Sequence, residues 1–160
     1  MTTRKRLSVL IFLLAVLTAA SAKAELVIGQ PWVREAPPGA RVMAGYMNIS
    51  NAGTAAAKVI AVSSSGFAKT ELHRTVVEDG VARMEPVGQL EIAAGESVSL
   101  EPGGLHLMLI EPEQALRDGD RVTLIIHRAD GMCMTVEAPV QREALDGEAP
   151  AQHHHHHHGA

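Results

Sequence analysis

Short apolar runs, each closed by a glycine, proline or aspartate turn, leave this chain few ways to bury a core. The turn signals stand at Pro37-Pro38-Gly39, Asn51-Ala52-Gly53, Asp79-Gly80, Ala94-Gly95, Pro102-Gly103-Gly104, Asp118-Gly119 and Asp130-Gly131. Each supplies the fixed or left-handed backbone angles that a tight reversal needs. The segments between them have little helical periodicity and predict strands over 25–28, 41–50, 57–62, 70–77, 81–87, 89–92, 97–100, 106–110, 121–127 and 132–140. Strands this short and this evenly punctuated imply an all-β, antiparallel sandwich or barrel in a single domain. No internal repeat and no second domain interrupts the pattern.

The two ends read differently. Residues 1–24 begin with Arg4, Lys5 and Arg6, continue through an apolar run from Leu7 to Leu17, and finish on small residues at Ala20, Ala22 and Ala24. That is the form of an export signal, with cleavage expected after Ala22 or Ala24. The run is too short for a comfortable membrane span, and no cysteine lies near the cleavage site to carry a lipid. The expectation is an exported, periplasmic protein without a membrane anchor. Loss of residues 1–24 removes four cations and no acid, taking the formal charge from −4 to −8. An acidic mature chain disfavours nucleic acid and anionic membrane surfaces as partners. The one cysteine, Cys133, allows no internal disulfide, so stability has to come from a buried core supplied by residues 25–140. The tail, 141–160, lacks apolar periodicity and reads as disordered. Its six histidines, His153 to His158, are either an expression tag or a native metal-catching extension.

One hairpin can be read to the level of side chains. A two-residue Asp79-Gly80 turn pairs Glu78 with Val81 and sets Thr75 opposite Met84. His73 then shares a face with Thr75 and becomes a diagonal neighbour of Met84. In Gly103-Gly104-Leu105-His106-Leu107-Met108-Leu109, strand alternation puts the leucines on one face and His106 with Met108 on the other. Taken singly, a methionine is ordinarily core filler, and an isolated His-x-Met is ordinarily packing. Two histidine–methionine couples in one small chain suggest chemistry instead. Imidazole is a borderline ligand and thioether a soft one, a pairing that suits Cu(I) and ill suits calcium, magnesium or manganese. Zinc ordinarily takes cysteine, histidine or carboxylate.

The spacing H-x10-M-x21-H-x-M, with Trp32-Val33-Arg34, Tyr46-Met47 and Asn51, and the glycine pair before His106, closely resembles the periplasmic copper chaperone family PCuAC. The resemblance covers most of residues 25–140. It implies a cupredoxin-like Greek-key β-barrel or sandwich that binds one Cu(I) through His73, Met84, His106 and Met108. It also implies delivery of copper to the binuclear centre of cytochrome oxidase, with the oxidase copper subunit and Sco-type proteins as partners. Histidine-rich C-terminal extensions in the family imply additional Cu(II) on residues 153–158 if these are native. Many members carry methionine after the first histidine; this chain has Arg74, a cation expected to weaken metal binding slightly.

The remaining candidates read as structural. Met43 and Met47 share a strand face and are expected in the core, as is Trp32. Met132 and Met134 are expected to face inward around an outward Cys133, which is a plain strand residue, an accessory soft ligand or a redox-sensitive thiol. His127 is expected at a solvent-facing rim, and Ser63-Ser64-Ser65 in a loop. No G-x-S-x-G, H-E-x-x-H or phosphate-cradling loop is present, so the expectation is a binding protein and no enzyme. Two alternatives stay open. A cupredoxin-type electron carrier would need a cysteine followed by a nearby histidine, and Cys133 has none before the tail. An immunoglobulin-like interaction module would make the histidines and methionines incidental.

Overall fold

The structure is a computed structural model that describes residues 22–142. Nearly all of the expected export signal, and the tail from residue 143 on with its histidine run, lie outside the described residues; Gln141, expected in the disordered tail, instead ends the last strand and pairs with Arg34. Ten strands follow in chain order: β1 (Leu26–Arg34), β2 (Val42–Asn51), β3 (Ala57–Ser63), β4 (Phe67–Glu78), β5 (Val81–Pro86), β6 (Leu90–Ile92), β7 (Ser97–Leu100), β8 (Leu105–Pro112), β9 (Arg121–Arg128) and β10 (Cys133–Gln141). Each corresponds to a segment expected from the sequence. The largest difference is β1, which runs on to Arg34. Gly29 and Pro31 look like terminators, but the β1–β2 register shifts between Gly29 and Trp32 with Gln30 at φ 48°, so a bulge absorbs them and pairing resumes at Trp32.

All strands belong to one sheet in the order β5-β4-β8-β7-β2-β1-β10-β9-β3-β6, with β8 also pairing β2. The expectation of a wholly antiparallel arrangement needs correction at two places, because β1 runs parallel to β10 and β7 meets β8 in parallel. Among the described residues the outermost strands, β5 and β6, have one neighbour each, so hydrogen bonds do not close the sheet. Burial folds the sheet around one core instead. Every strand except β5 sends side chains into one apolar cluster, including Val33, Ile49, Ile92, Leu107, Leu124, Ile126 and Val140. Fully burying one such side chain is worth about 1.5–3 kcal/mol before conformational entropy is counted.

Alternation along β8 decides what reaches the site. Leu107 and Leu109 are wholly buried on the core side, which leaves His106 and Met108 on the opposite side. Met43 and Met47 are buried as expected. So is Trp32, whose ring stands 4.6 Å from that of Tyr46 with the Arg34 guanidinium 5.7 Å from both rings.

Three minor expectations need correction. Met132 is exposed because it precedes β10, its amide donating to Asp130 Oδ1 within the turn; only Met134 packs against the core. His127 is half-buried with both ring nitrogens engaged, so it is no solvent-facing rim residue. Ser63 closes β3, so the serine run begins inside a strand. Cys133 is exposed, as expected.

Candidate metal centre

The β4–β5 hairpin forms with the anticipated register. Glu78 lies opposite Val81 and Thr75 opposite Met84, and the turn residues Asp79 and Gly80 adopt φ of 51° and 78°. Both angles are left-handed, which the Asp-Gly pair tolerates and most residues do not. On its other edge β4 pairs β8, and there His73 lies directly opposite His106. The two rings are 6.2 Å apart, centre to centre.

Beside them opens a shallow pocket of about 200 Å³ whose lining includes Met84, His106 and Met108 together with Tyr46, Thr75 and Val42. Three of the four candidate ligands therefore share one cavity, and the fourth, His73, stands alongside. Burial is graded across the set. His106 is 5% exposed, His73 and Met108 are half-buried, and Met84, on the edge strand β5, is 61% exposed. Arg74 is exposed, and alternation along β4 places it on the face away from His73. Its charge is thereby turned from the site.

The hydrogen bonds of the two imidazoles carry the chemical information. His106 Nδ1 lies 3.1 Å from the Gly104 carbonyl oxygen, which can only accept, so Nδ1 holds the proton and Nε2 the lone pair. His73 Nε2 lies 3.0 Å from Glu71 Oε2, which in the same way fixes the proton on Nε2 and leaves the lone pair on Nδ1. The two bare nitrogens, His73 Nδ1 and His106 Nε2, are both buried and have no hydrogen-bond partner. A buried polar atom without a partner ordinarily costs about 1–3 kcal/mol. The arrangement suits metal-binding histidines, whose second nitrogen is characteristically held by a carboxylate or a backbone carbonyl.

The donor set itself is electrically neutral: two imidazole nitrogens and two thioether sulfurs. Behind it stands Glu71. The Lys69 ammonium, 2.5 Å from Glu71 Oε1, and then the His73 ring hold that carboxyl below its ordinary value of 4.5. At the pocket wall, burial pushes the Tyr46 hydroxyl above its ordinary 10.0, with Arg34 pulling the other way. No cluster of three or more His, Cys, Asp or Glu side chains occurs among the described residues. A hard divalent cation would find too few charged oxygens here, whereas a soft monovalent cation matches the donors.

The supporting contacts from Glu71 and the Gly104 carbonyl carry no signal of their own in the sequence. Both lie two residues before the histidine they hold, a spacing that keeps Glu71 on the His73 face of β4.

Known proteins share this architecture. The family described as LpqE-like matches residues 26–140. Among curated proteins, "Putative lipoprotein Lxx21020" of Leifsonia xyli subsp. xyli is 30% identical over 115 residues, covering 71% of this chain and 68% of the relative. RP573 of Rickettsia prowazekii is 26% identical over 121 residues, covering 71% and 65%. Among solved structures, CuI-DR1885 from Deinococcus radiodurans superposes with a TM-score of 0.61 at 28% identity, covering 78% of this chain and 83% of that one. The copper-bound PCuAC domain from PmoF2 superposes with a TM-score of 0.62 at 19% identity over 74% and 93%. The fold is therefore the cupredoxin-like β domain that the resemblance implied.

Proposed function

The chain belongs to the LpqE-like family, whose structural neighbours are PCuAC domains, and from that premise we propose that it is a copper carrier holding one Cu(I) through His73, Met84, His106 and Met108. The observation that carries this reading is the pair of buried, partnerless imidazole nitrogens on β4 and β8, set beside two thioethers. A cation would supply the partner that both nitrogens lack. The 28% identical neighbour is a Cu(I) form, which supports the oxidation state.

The graded burial suits carriage more than storage. His106 and His73 form the inner half of the site, and Met84 on the exposed edge strand forms the outer half. An incoming acceptor's thiolates or imidazoles displace Met84 first, then Met108, and draw the ion off stepwise while the histidines release it last. No bond within the protein has to break for this exchange. Because all four ligands are neutral, the ion keeps its single charge and is held by donor strength without a charge pair.

Electron transfer of the cupredoxin type is disfavoured by position. Its thiolate would have to come from Cys133, which lies on β10, separated from β8 in the sheet order by β7, β2 and β1. The proposal extends to an exported, non-enzymatic protein that passes copper to the copper subunit of cytochrome oxidase, alongside Sco-type proteins. Additional Cu(II) on residues 153–158 belongs to it as well if those histidines are native and not an expression tag.

The test is an anaerobic Cu(I) titration against a chromophoric chelator, run on a chain with residues 153–158 replaced by serine and Cys133 by alanine. One tightly held Cu(I), with much weaker binding in Met84→Ala and in Met108→Ala, is the expected result. No uptake by the parent, or equal uptake by the variants, would favour the interaction-module alternative.

A further inference from the structure

A second group of metal-capable side chains lies away from the pocket. Cys133 on β10 and His127 on β9 are directly opposed across the ladder, with Sγ 3.3 Å from His127 Nδ1. The other ring nitrogen, Nε2, lies 2.8 Å from Ser63 Oγ on β3. Three adjacent strands thus converge one hydroxyl, one imidazole and one thiol. The thiol is exposed while the ring is half-buried. As the only cysteine in the chain, Cys133 has no internal partner with which to form a disulfide.

When the Ser63 hydroxyl accepts Nε2–H, Nδ1 is left with its lone pair directed toward the sulfur. A borderline nitrogen and a soft sulfur then flank one point at the protein surface. With metal–nitrogen and metal–sulfur bonds of about 2.0 and 2.3 Å, the lengths typical of a d10 ion on these donors, the observed separation corresponds to a donor–metal–donor angle of roughly 100°. That angle is close to the tetrahedral value, so the pair can share one ion once the ring and the thiol rotate to aim both donors at it. It also leaves the outer coordination positions to solvent or to an incoming ligand.

We propose that Cys133 and His127, oriented by Ser63, form a second, surface metal site for a soft monovalent cation of the Cu(I) class. On binding, the thiol S–H bond breaks and a sulfur–metal bond forms. The proton passes to solvent, and Nδ1 donates its lone pair to the ion. No oxidation state changes. The site stands independently of the His/Met pocket. Its two donors, against four in the pocket, leave more of the ion open to solvent and incoming ligands, which makes it a place where an ion is caught or passed on.

The experiment follows Cys133 directly. The full chain is treated anaerobically with increasing Cu(I), then pulsed with iodoacetamide, and alkylation of Cys133 is read by mass spectrometry. In the parent, which holds both sites, alkylation is expected to be slowed fully by the second equivalent. In a Met84→Ala/Met108→Ala variant, it is expected to slow from the first equivalent, with one proton released per protected thiol. His127→Gln should lose the protection and Ser63→Ala should weaken it, both with unchanged far-ultraviolet circular dichroism. If His127→Gln does not fold, Ser63→Ala alone decides. Cu(I) that never slows alkylation in the double methionine variant would overturn the site. So would equal protection when the ring or its serine support is removed, since the thiol would then be acting alone. Failure of the pocket to bind would make the parent behave like the double methionine variant and would leave that variant's readings unaffected, so the two proposals can fail separately.

Discussion

His73 and His106 each commit one ring nitrogen to the protein and leave the other bare, and on that asymmetry the proposed copper site rests. Glu71 does for His73 what the Gly104 carbonyl does for His106. The backbone oxygen cannot be mutated away, but the carboxylate can. Glu71→Ala should lower Cu(I) affinity by about 10- to 100-fold, the usual effect of losing a residue that orients a metal-bound histidine. Glu71→Gln, whose amide oxygen can still accept Nε2–H, should recover much of the loss; competition with a chelator measures both. The four candidate ligands are legible from their spacing, and their sidedness from strand alternation. The opposition of His73 and His106 is not, because nothing local to either segment dictates that β8 will lie beside β4. Met132 shows a related limit: alternation says nothing until the first residue of the strand is known.

At the level of elements, the β4–β5 hairpin is the most legible part of the chain. A two-residue turn has a fixed register, and a fixed register decides which face each side chain takes. Inserting one glycine between Asp79 and Gly80 should therefore turn Met84 away from His73 and weaken Cu(I) binding to the level of Met84→Ala. The β content in circular dichroism should be unchanged, because β5 contributes nothing to the core cluster. The start of β1 is harder to read, since its role depends on contacts with distant loops. Lys23 O accepts from the amides of Thr54 and Ala55, Ala24 is buried, and Arg128 donates to Ala24 O. Gly53 lies so close to Lys23 that an added Cβ there would collide with its carbonyl. Cleavage after Ala24 would delete all of these contacts, whereas cleavage after Ala22 keeps them. If the chain is exported and cleaved as proposed, N-terminal sequencing should accordingly read Lys23 first; a chain beginning at Glu25 would contradict this.

Over the whole molecule, an open sheet with one core and a ligand cluster spread over β4, β5 and β8 couples metal binding to folding. Ligand present at about 1,000 times its dissociation constant stabilises a protein by about 4 kcal/mol, which for a domain of this size raises the melting temperature by about 10 °C or more. Calorimetry with and without Cu(I) should show that shift, and it should diminish on acidification because protons and copper compete for the same two lone pairs. Glu71 acts in the same direction. Its lowered carboxyl pKa favours the folded state above the ordinary value of 4.5, and that contribution fades as pH falls through the depressed value. The exposure of the Lys69–Glu71 pair keeps this second effect small. The all-β class and single core are legible in the punctuation of the chain. The parallel β1–β10 and β7–β8 pairings are not, since strand order is set by packing between segments far apart in sequence.

The central claim is a neutral N2S2 site for Cu(I), and X-ray absorption at the copper edge tests it most directly. The sample is the chain loaded with one equivalent of Cu(I), its histidines at 153–158 replaced by serine and Cys133 by alanine. Nitrogen and sulfur scatterers together are expected, with the sulfur contribution reduced in Met84→Ala and again in Met108→Ala. A shell of nitrogen and oxygen alone, or a sulfur signal indifferent to both methionines, would contradict the assignment.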